Sequence, residues 1–143
     1  MSQETDRPAP ALRAVNPPGW PQPKGYANAI SGRGRLVFVA GQVGWRPEEE
    51  SFATDTFAGQ FEQALRNTVA VLAAAGAKPE HVARMTWYVT DKHEYLAALP
   101  ELGRAWREIM GRHYPAMALV EVSGLVEDRA KIEIETTALV PDE

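Results

Sequence analysis

Two runs near the end of the chain decide its reading: His113-Tyr114-Pro115-Ala116-Met117-Ala118-Leu119-Val120-Glu121-Val122 and Lys131-Ile132-Glu133-Ile134-Glu135-Thr136-Thr137-Ala138-Leu139. Successive side chains of a strand point to opposite sides. In the second run Ile132, Ile134, Thr136 and Ala138 therefore share one face, and Lys131, Glu133, Glu135 and Thr137 share the other. One face belongs in a core; the other needs water or a partner. Ala116 to Val122 reads as a second strand, joined to the first by the charged turn Val126-Glu127-Asp128-Arg129.

Working outward, Phe57, Phe61, Leu65, Val69 and Leu72 recur at three- and four-residue steps between Thr56 and Gly76, which predicts an amphipathic helix ended by Gly76. Val82 to Val89 reads as a strand with Met85, Trp87 and Val89 on one face and Thr86 and Tyr88 on the other. A second helix is expected from about Leu96 to Met110, entered near Pro100 and ended by Gly111, with Leu99, Leu102, Trp106 and Ile109 inward. Upstream, Tyr26 to Ile30, the turn Ser31-Gly32-Arg33-Gly34 and Leu36 to Ala40 read as a β-hairpin ending at Gly41-Gln42. Pro17, Pro18, Pro21 and Pro23 force an extended path around Trp20, which is expected to anchor it. Residues 1–14 read as a loose arm and 15–143 as one domain. The fold class is α+β, one mixed sheet with both helices packed on a single face.

The composition is that of an ordinary globular chain, 45% apolar and 24% charged over 143 residues. Without cysteine, the chain has no disulfide, thiolate nucleophile or cysteine-held metal. The polar, acidic start does not resemble a secretory leader, and no apolar run approaches the roughly 20 residues a bilayer requires, so a cytoplasmic location is expected. A net charge of -4 argues against nucleic acid as a partner, because such affinity rests on Lys and Arg neutralising phosphates. His81, His93 and His113 lie in three separate segments, so no metal site is expected. Gly32 and Gly34 form no phosphate-binding run entering a helix, and no cofactor is expected.

Several patterns in order resemble the RidA (YjgF/YER057c) family. Lys24-Gly25-Tyr26-Ala27-Asn28-Ala29 resembles its Gly-Pro-Tyr-Ser-Gln-Ala, and Leu36 to Gln42 its Leu-Val-Phe-Val-Ser-Gly-Gln. Val71 to Gly76 is similar to Val-Leu-Glu-Ala-Ala-Gly, and Trp87 to Asp91 to an aromatic-rich strand ending in Thr-Asp. His113 to Val122 resembles His-X-Pro-Ala-Arg-Ser-X-Val-X-Val, and Lys131 to Glu135 the closing Val-Glu-Ile-Glu. The resemblance implies a chorismate-mutase-like fold and a homotrimer with three intersubunit clefts. It also implies hydrolysis of reactive enamines and imines to 2-oxo acids and ammonia.

In that family the arginine after Pro-Ala holds the substrate carboxylate, a task suited to the planar, always charged guanidinium. Met117 stands there in this chain. A thioether replaces neither the charge nor the two hydrogen bonds, worth about 1.5–3 kcal/mol each. The resemblance assigns Tyr26 to the substrate pocket and Glu133 to positioning or activating water; it leaves Glu135 structural, and His113 a helix-end or interface residue. Leu119 stands where some relatives carry cysteine. Arg129 and Lys131 are the nearest substitutes for the lost cation in sequence, and read first as solvated turn charges. Two functions follow. One is a divergent hydrolase of a small imine, enamine or amide-like metabolite, weak or inactive on 2-imino acids, with Glu133 catalytic and Tyr26 and Met117 binding substrate. The other is a noncatalytic trimer that binds a small molecule or a partner. RNA cleavage finds little support in an acidic chain without paired histidines.

Overall fold

Thr56 begins the longest helix because its hydroxyl accepts from the backbone N–H of Gly59 at 3.2 Å, satisfying one of the donors a helix start leaves open. Helix α1 runs Phe57–Ala74 and exits through Gly76, whose φ of 77° is left-handed. The N–H of Ala77 then bonds Leu72 O at 2.8 Å and that of Gly76 bonds Ala73 O at 3.0 Å, the paired closure a glycine exit allows. Phe61, Leu65 and Leu72 are fully buried, each contributing about 1.5–3 kcal/mol by leaving water. Val69, expected among them, is only partly buried.

The computed structural model describes residues 12–142. Four strands form the main sheet: β3 (Arg35–Val43), β6 (Val82–Val89), β7 (Ala116–Glu121) and β8 (Ile132–Val140). Their spatial order is β3-β8-β6-β7, with β6 and β7 parallel and the other pairs antiparallel. Met85, Trp87, Val89, Ile132, Ile134 and Ala138 are buried on the face that carries α1, as their alternation requires. The opposite face is open, with Leu36 56%, Phe38 73% and Val120 42% exposed.

The expected hairpin does not form. Strand β2 (Ala29–Gly32) pairs with β1 (Leu12–Val15), just ahead of the prolines, while β3 pairs with β8. Only Arg33 and Gly34 separate β2 from β3, and Gly34, at φ 152° and against Val140 O, passes the chain between sheets. The alternating apolar run of β3 then takes the matching run of β8 as its neighbour. Strand β1 also overlaps the end of the expected arm; the rest of that arm lies outside the described residues.

The second expected helix forms, and a short helix not read from the sequence precedes it. The Asp91 side chain accepts from the N–H of His93 at 2.8 Å and starts α2 (Lys92–Ala97). The chain restarts as α3 (Leu99–Met110), because Pro100 has no N–H to continue the hydrogen-bond ladder. Leu102, Trp106 and Met110 are its buried stripe; Leu99, expected inward, is 46% exposed, and Ile109 is partly buried. Gly111, with φ 72°, ends it.

A small ribbon, β4 (Trp45–Arg46) with β5 (Ser51–Phe52), was not expected; its Trp45 and Phe52 rings meet edge-on at 6.0 Å. Two buried amides tie α1 to its surroundings. Gln60 donates to Thr54 O at 3.1 Å and Arg129 O at 3.0 Å, and accepts from the N–H of Lys131 at 2.8 Å. Asn67 donates to Val43 O at 3.2 Å and Trp45 O at 2.7 Å. Among the described residues, no helix is long and apolar enough to cross a membrane.

Candidate functional site

Ala27 makes an isolated parallel bridge to Ala116, its N–H bonding Pro115 O at 2.9 Å. This docks the segment carrying Tyr26 beside the start of β7. Met117 lies opposite Met85, and Leu119 opposite Trp87, in the parallel β6–β7 pair, so both point toward the helix-covered face. Between these strands and α2–α3 is a cavity of about 540 Å³ that Tyr26 and Met117 both line.

Aromatic rings dominate its wall. Trp87 and Trp106 have centroids 6.0 Å apart, Trp106 stacks on Tyr114 at 6.2 Å and 13°, and Tyr95 meets Trp87 edge-on at 6.5 Å. Burial pushes the Tyr95 phenol above its usual pKa, since its anion would lose solvation. The Trp106 indole donates to His113 O at 3.1 Å, and His113 Nε2 donates to the carbonyl of Val82 at 2.6 Å. His113 therefore fastens the α3–β7 connection to the start of β6 and is not among the residues lining this cavity. Trp87 is 8% exposed, yet its Nε1–H has no partner among the described residues. Among the described residues, Lys24 and Arg107, both exposed, are the charged residues of the lining, and no carboxylate or imidazole belongs to it.

Glu133 is elsewhere. It neighbours the buried Ile132 and Ile134 on β8, so its side chain faces the open side of the sheet, in a separate hollow of about 300 Å³ with Gln42, Trp45 and Asn67. A methyl group on Gly41 would come within 2.7 Å of Glu133 Cδ, so the glycine leaves the room this carboxylate occupies. Gly41 lies where the β3–β8 register shifts, between Val39 and Gln42. Glu135 accepts from the Tyr88 hydroxyl at 3.3 Å. The charge of Glu135, with desolvation and Glu133 adding to it, holds the Tyr88 phenol above its usual pKa. Within one chain, then, Tyr26 and Met117 share a cavity and Glu133 does not join them.

The two substitutes for the missing cation are engaged elsewhere. Arg129 pairs with Asp55 at 2.7 Å and lies 5.6 Å over the Phe52 ring; Lys131 pairs with Glu94 at 3.0 Å. Sequence reading did not single out Lys24, Arg107 or the ring cluster. Trp106 was visible as an inward helix residue, but its convergence with Trp87 and Tyr114 depends on how three elements pack. One local signal was available: Gly103 sits inside α3, where glycine costs about 1 kcal/mol relative to alanine.

The family model described as Endoribonuclease L-PSP matches residues 21–140. A RutC family protein of Pyrococcus horikoshii is 34% identical over 119 residues, covering 82% of this chain and 90% of that protein. A 2-iminobutanoate/2-iminopropanoate deaminase of Salmonella typhimurium is 33% identical over 106 residues, covering 74% and 80%. Among solved structures, a protein of unknown function of the conserved Rid family, from Yersinia pestis, superposes with a TM-score of 0.79 at 30% identity, covering 91% of this chain and 99% of that one. Sequence motifs, sheet order and these matches agree, and the chain belongs to the Endoribonuclease L-PSP family, the RidA/YjgF family.

Proposed function

We propose that the protein is a divergent hydrolase of the enamine/imine deaminase type, acting on a small imine, enamine or amide-like metabolite, with weak or no activity on 2-imino acids. The observation that carries this reading is the meeting of Tyr26 and Met117, from distant segments, in one aromatic cavity, in a family with relatives named deaminases. In the proposed reaction water adds to the iminium carbon, giving up a proton to a carboxylate. The carboxyl group returns that proton to the carbinolamine nitrogen, and ammonia leaves as the hydroxyl gives up its own proton to form the carbonyl, so that the products are the carbonyl compound and ammonium. Tyr26 would hydrogen-bond the substrate, and Met117 would form an apolar wall where an acid group has no counter-charge.

Glu133 is the proposed base, and its position on the open face requires it to come from a neighbouring copy. The exposed Leu36, Phe38 and Val120 support such an assembly, a homotrimer, because burying apolar surface is worth about 25 cal/mol per Å². A cytoplasmic setting belongs to the same proposal. Light scattering should give three chains per particle, and neutral imines released by an amine oxidase should decay faster with the protein than with Glu133→Gln. A monomer mass at micromolar concentration refutes the intersubunit site.

A second reading, a noncatalytic small-molecule binder, is favoured by the lack of any carboxylate or imidazole lining the Tyr26 cavity among the described residues. It holds if ligands raise the melting temperature while no imine decays faster than in buffer.

A further inference from the structure

We propose that Arg107, assisted by Lys24, is the anion-binding pole of the aromatic cavity, so that the ligand is a flat apolar carboxylate whose acid group lies at the mouth, away from Met117. This rests on the reading that the cavity beside Tyr26 takes the ligand.

Four observations converge. First, among the described residues the lining has two cations and no acid, in a chain whose net charge is -4. Second, neither Arg107 nor Lys24 forms an ion pair among the described residues, whereas Arg129 and Lys131 do. A guanidinium without a carboxylate partner, next to an apolar wall, can offer its paired donors to a ligand. Third, Gly103 lies one turn before Arg107 on α3 and also lines the cavity. Its backbone is not left-handed, so the glycine is not there for conformation; a Cβ would lie 3.3 Å from Arg107 Nη1. The helix is bare where the guanidinium folds across it. Fourth, about 540 Å³ walled by Trp87, Trp106, Tyr95, Tyr114 and Tyr26 suits a ring-sized body better than a three-carbon acid.

Met117 and Leu119 bring no charge from the strand wall, whereas Arg107, on α3, is exposed and lays its guanidinium across Gly103, and Lys24 is exposed on the segment that carries Tyr26. A 2-imino acid carries its carboxylate on the carbon next to the reacting one and needs the cation close by. A longer acid can place its ring among the aromatics and its carboxylate at Arg107. The alternative role for Arg107 is to complement the negative end of the α3 dipole from its last turn. Such a role predicts a change in stability and none in ligand choice.

The test is calorimetric titration of the full chain with cinnamate, its neutral amide cinnamamide, and acetate. The wild type should bind cinnamate at least tenfold more tightly than cinnamamide, with acetate undetected. Arg107→Ala should remove that preference by weakening cinnamate about tenfold or more while leaving cinnamamide within twofold. Arg107→Lys, which keeps the charge and loses the fork, should fall between. Equal affinity of acid and amide in the wild type, or an unchanged preference in Arg107→Ala, overturns the assignment of Arg107 while the cavity reading stands. Failure of both aromatic probes to bind the wild type overturns the cavity reading itself and the proposal with it.

Discussion

Replacing Gln60 by methionine should destabilise the protein by about 2–5 kcal/mol, although the side chain touches no ligand. Gln60 is fully buried on α1 and makes three bonds to the backbone, at 3.1, 3.0 and 2.8 Å. At a net value of about 1 kcal/mol each, their loss costs about 3 kcal/mol. Leaving Thr54 O, Arg129 O and the Lys131 N–H unpaired adds to that where water cannot enter, since a stranded buried group costs about 1–3 kcal/mol. Methionine has similar length and returns roughly 1 kcal/mol as apolar burial. Urea unfolding with an unchanged slope would report the loss directly, and the melting temperature should fall by about 10 °C. Gln60→Glu is the informative companion: it keeps the acceptor for Lys131 N–H and removes both donors, so it should also destabilise. A loss under about 1 kcal/mol for Gln60→Met would refute the reasoning, showing that the 54 and 129–131 segments hold their places without the amide.

Three further outcomes are expected. Wild-type protein should accelerate the decay of oxidase-generated 2-iminopropanoate only weakly, and Met117→Arg should raise that rate about tenfold; wild-type activity equal to that of an arginine-bearing relative would overturn the reading of Met117. Gly41→Ala must displace Glu133, so it should lower turnover of neutral imines tenfold or more with little change in unfolding free energy, and unaltered turnover counts against Glu133 as base. Because the Glu135 charge raises the Tyr88 pKa, Glu135→Gln should move the phenol's ultraviolet titration to lower pH, and a midpoint that stays put would remove Glu135 as the cause.

Helix α1 was readable because its apolar stripe and glycine exit are local and lie open in the order of the residues. The parities of β6 and β8 were readable for the same reason: alternation assigns the faces before the neighbours are known. The hairpin reading failed at the choice of neighbour. Two adjacent strand-like runs with glycines between them suggest pairing, but Gly34 redirects the chain and the partner of β3 lies at the far end of the sequence. The site divides along the same line. Tyr26 and Met117 could be joined through motif resemblance, and the structure brings them together; their separation from Glu133 depends on which face of the sheet each residue occupies. Arg107 carried no sequence signal beyond a glycine one turn away, because its relation to Met117 exists only once α3 and β7 wall the same cavity.

The place of β8 in the sheet bears on how the chain can be made. Strand β8 is made after the other three strands of its sheet, yet it sits between β3 and β6 and pairs with both, so Arg35 waits for Val140 and Val82 for Ala138. Until Ile132–Val140 emerges, the nascent chain holds two apolar strands with no partner between them, and such edges invite association with other chains. The pairings that close without the C-terminus are β1–β2, β4–β5 and the parallel β6–β7 pair, none of which contains the centre of the main sheet. A premature stop before Ile132 removes the centre of the sheet rather than its margin, and such a product should be insoluble or degraded, whereas an extension after the last strand leaves every pairing in place.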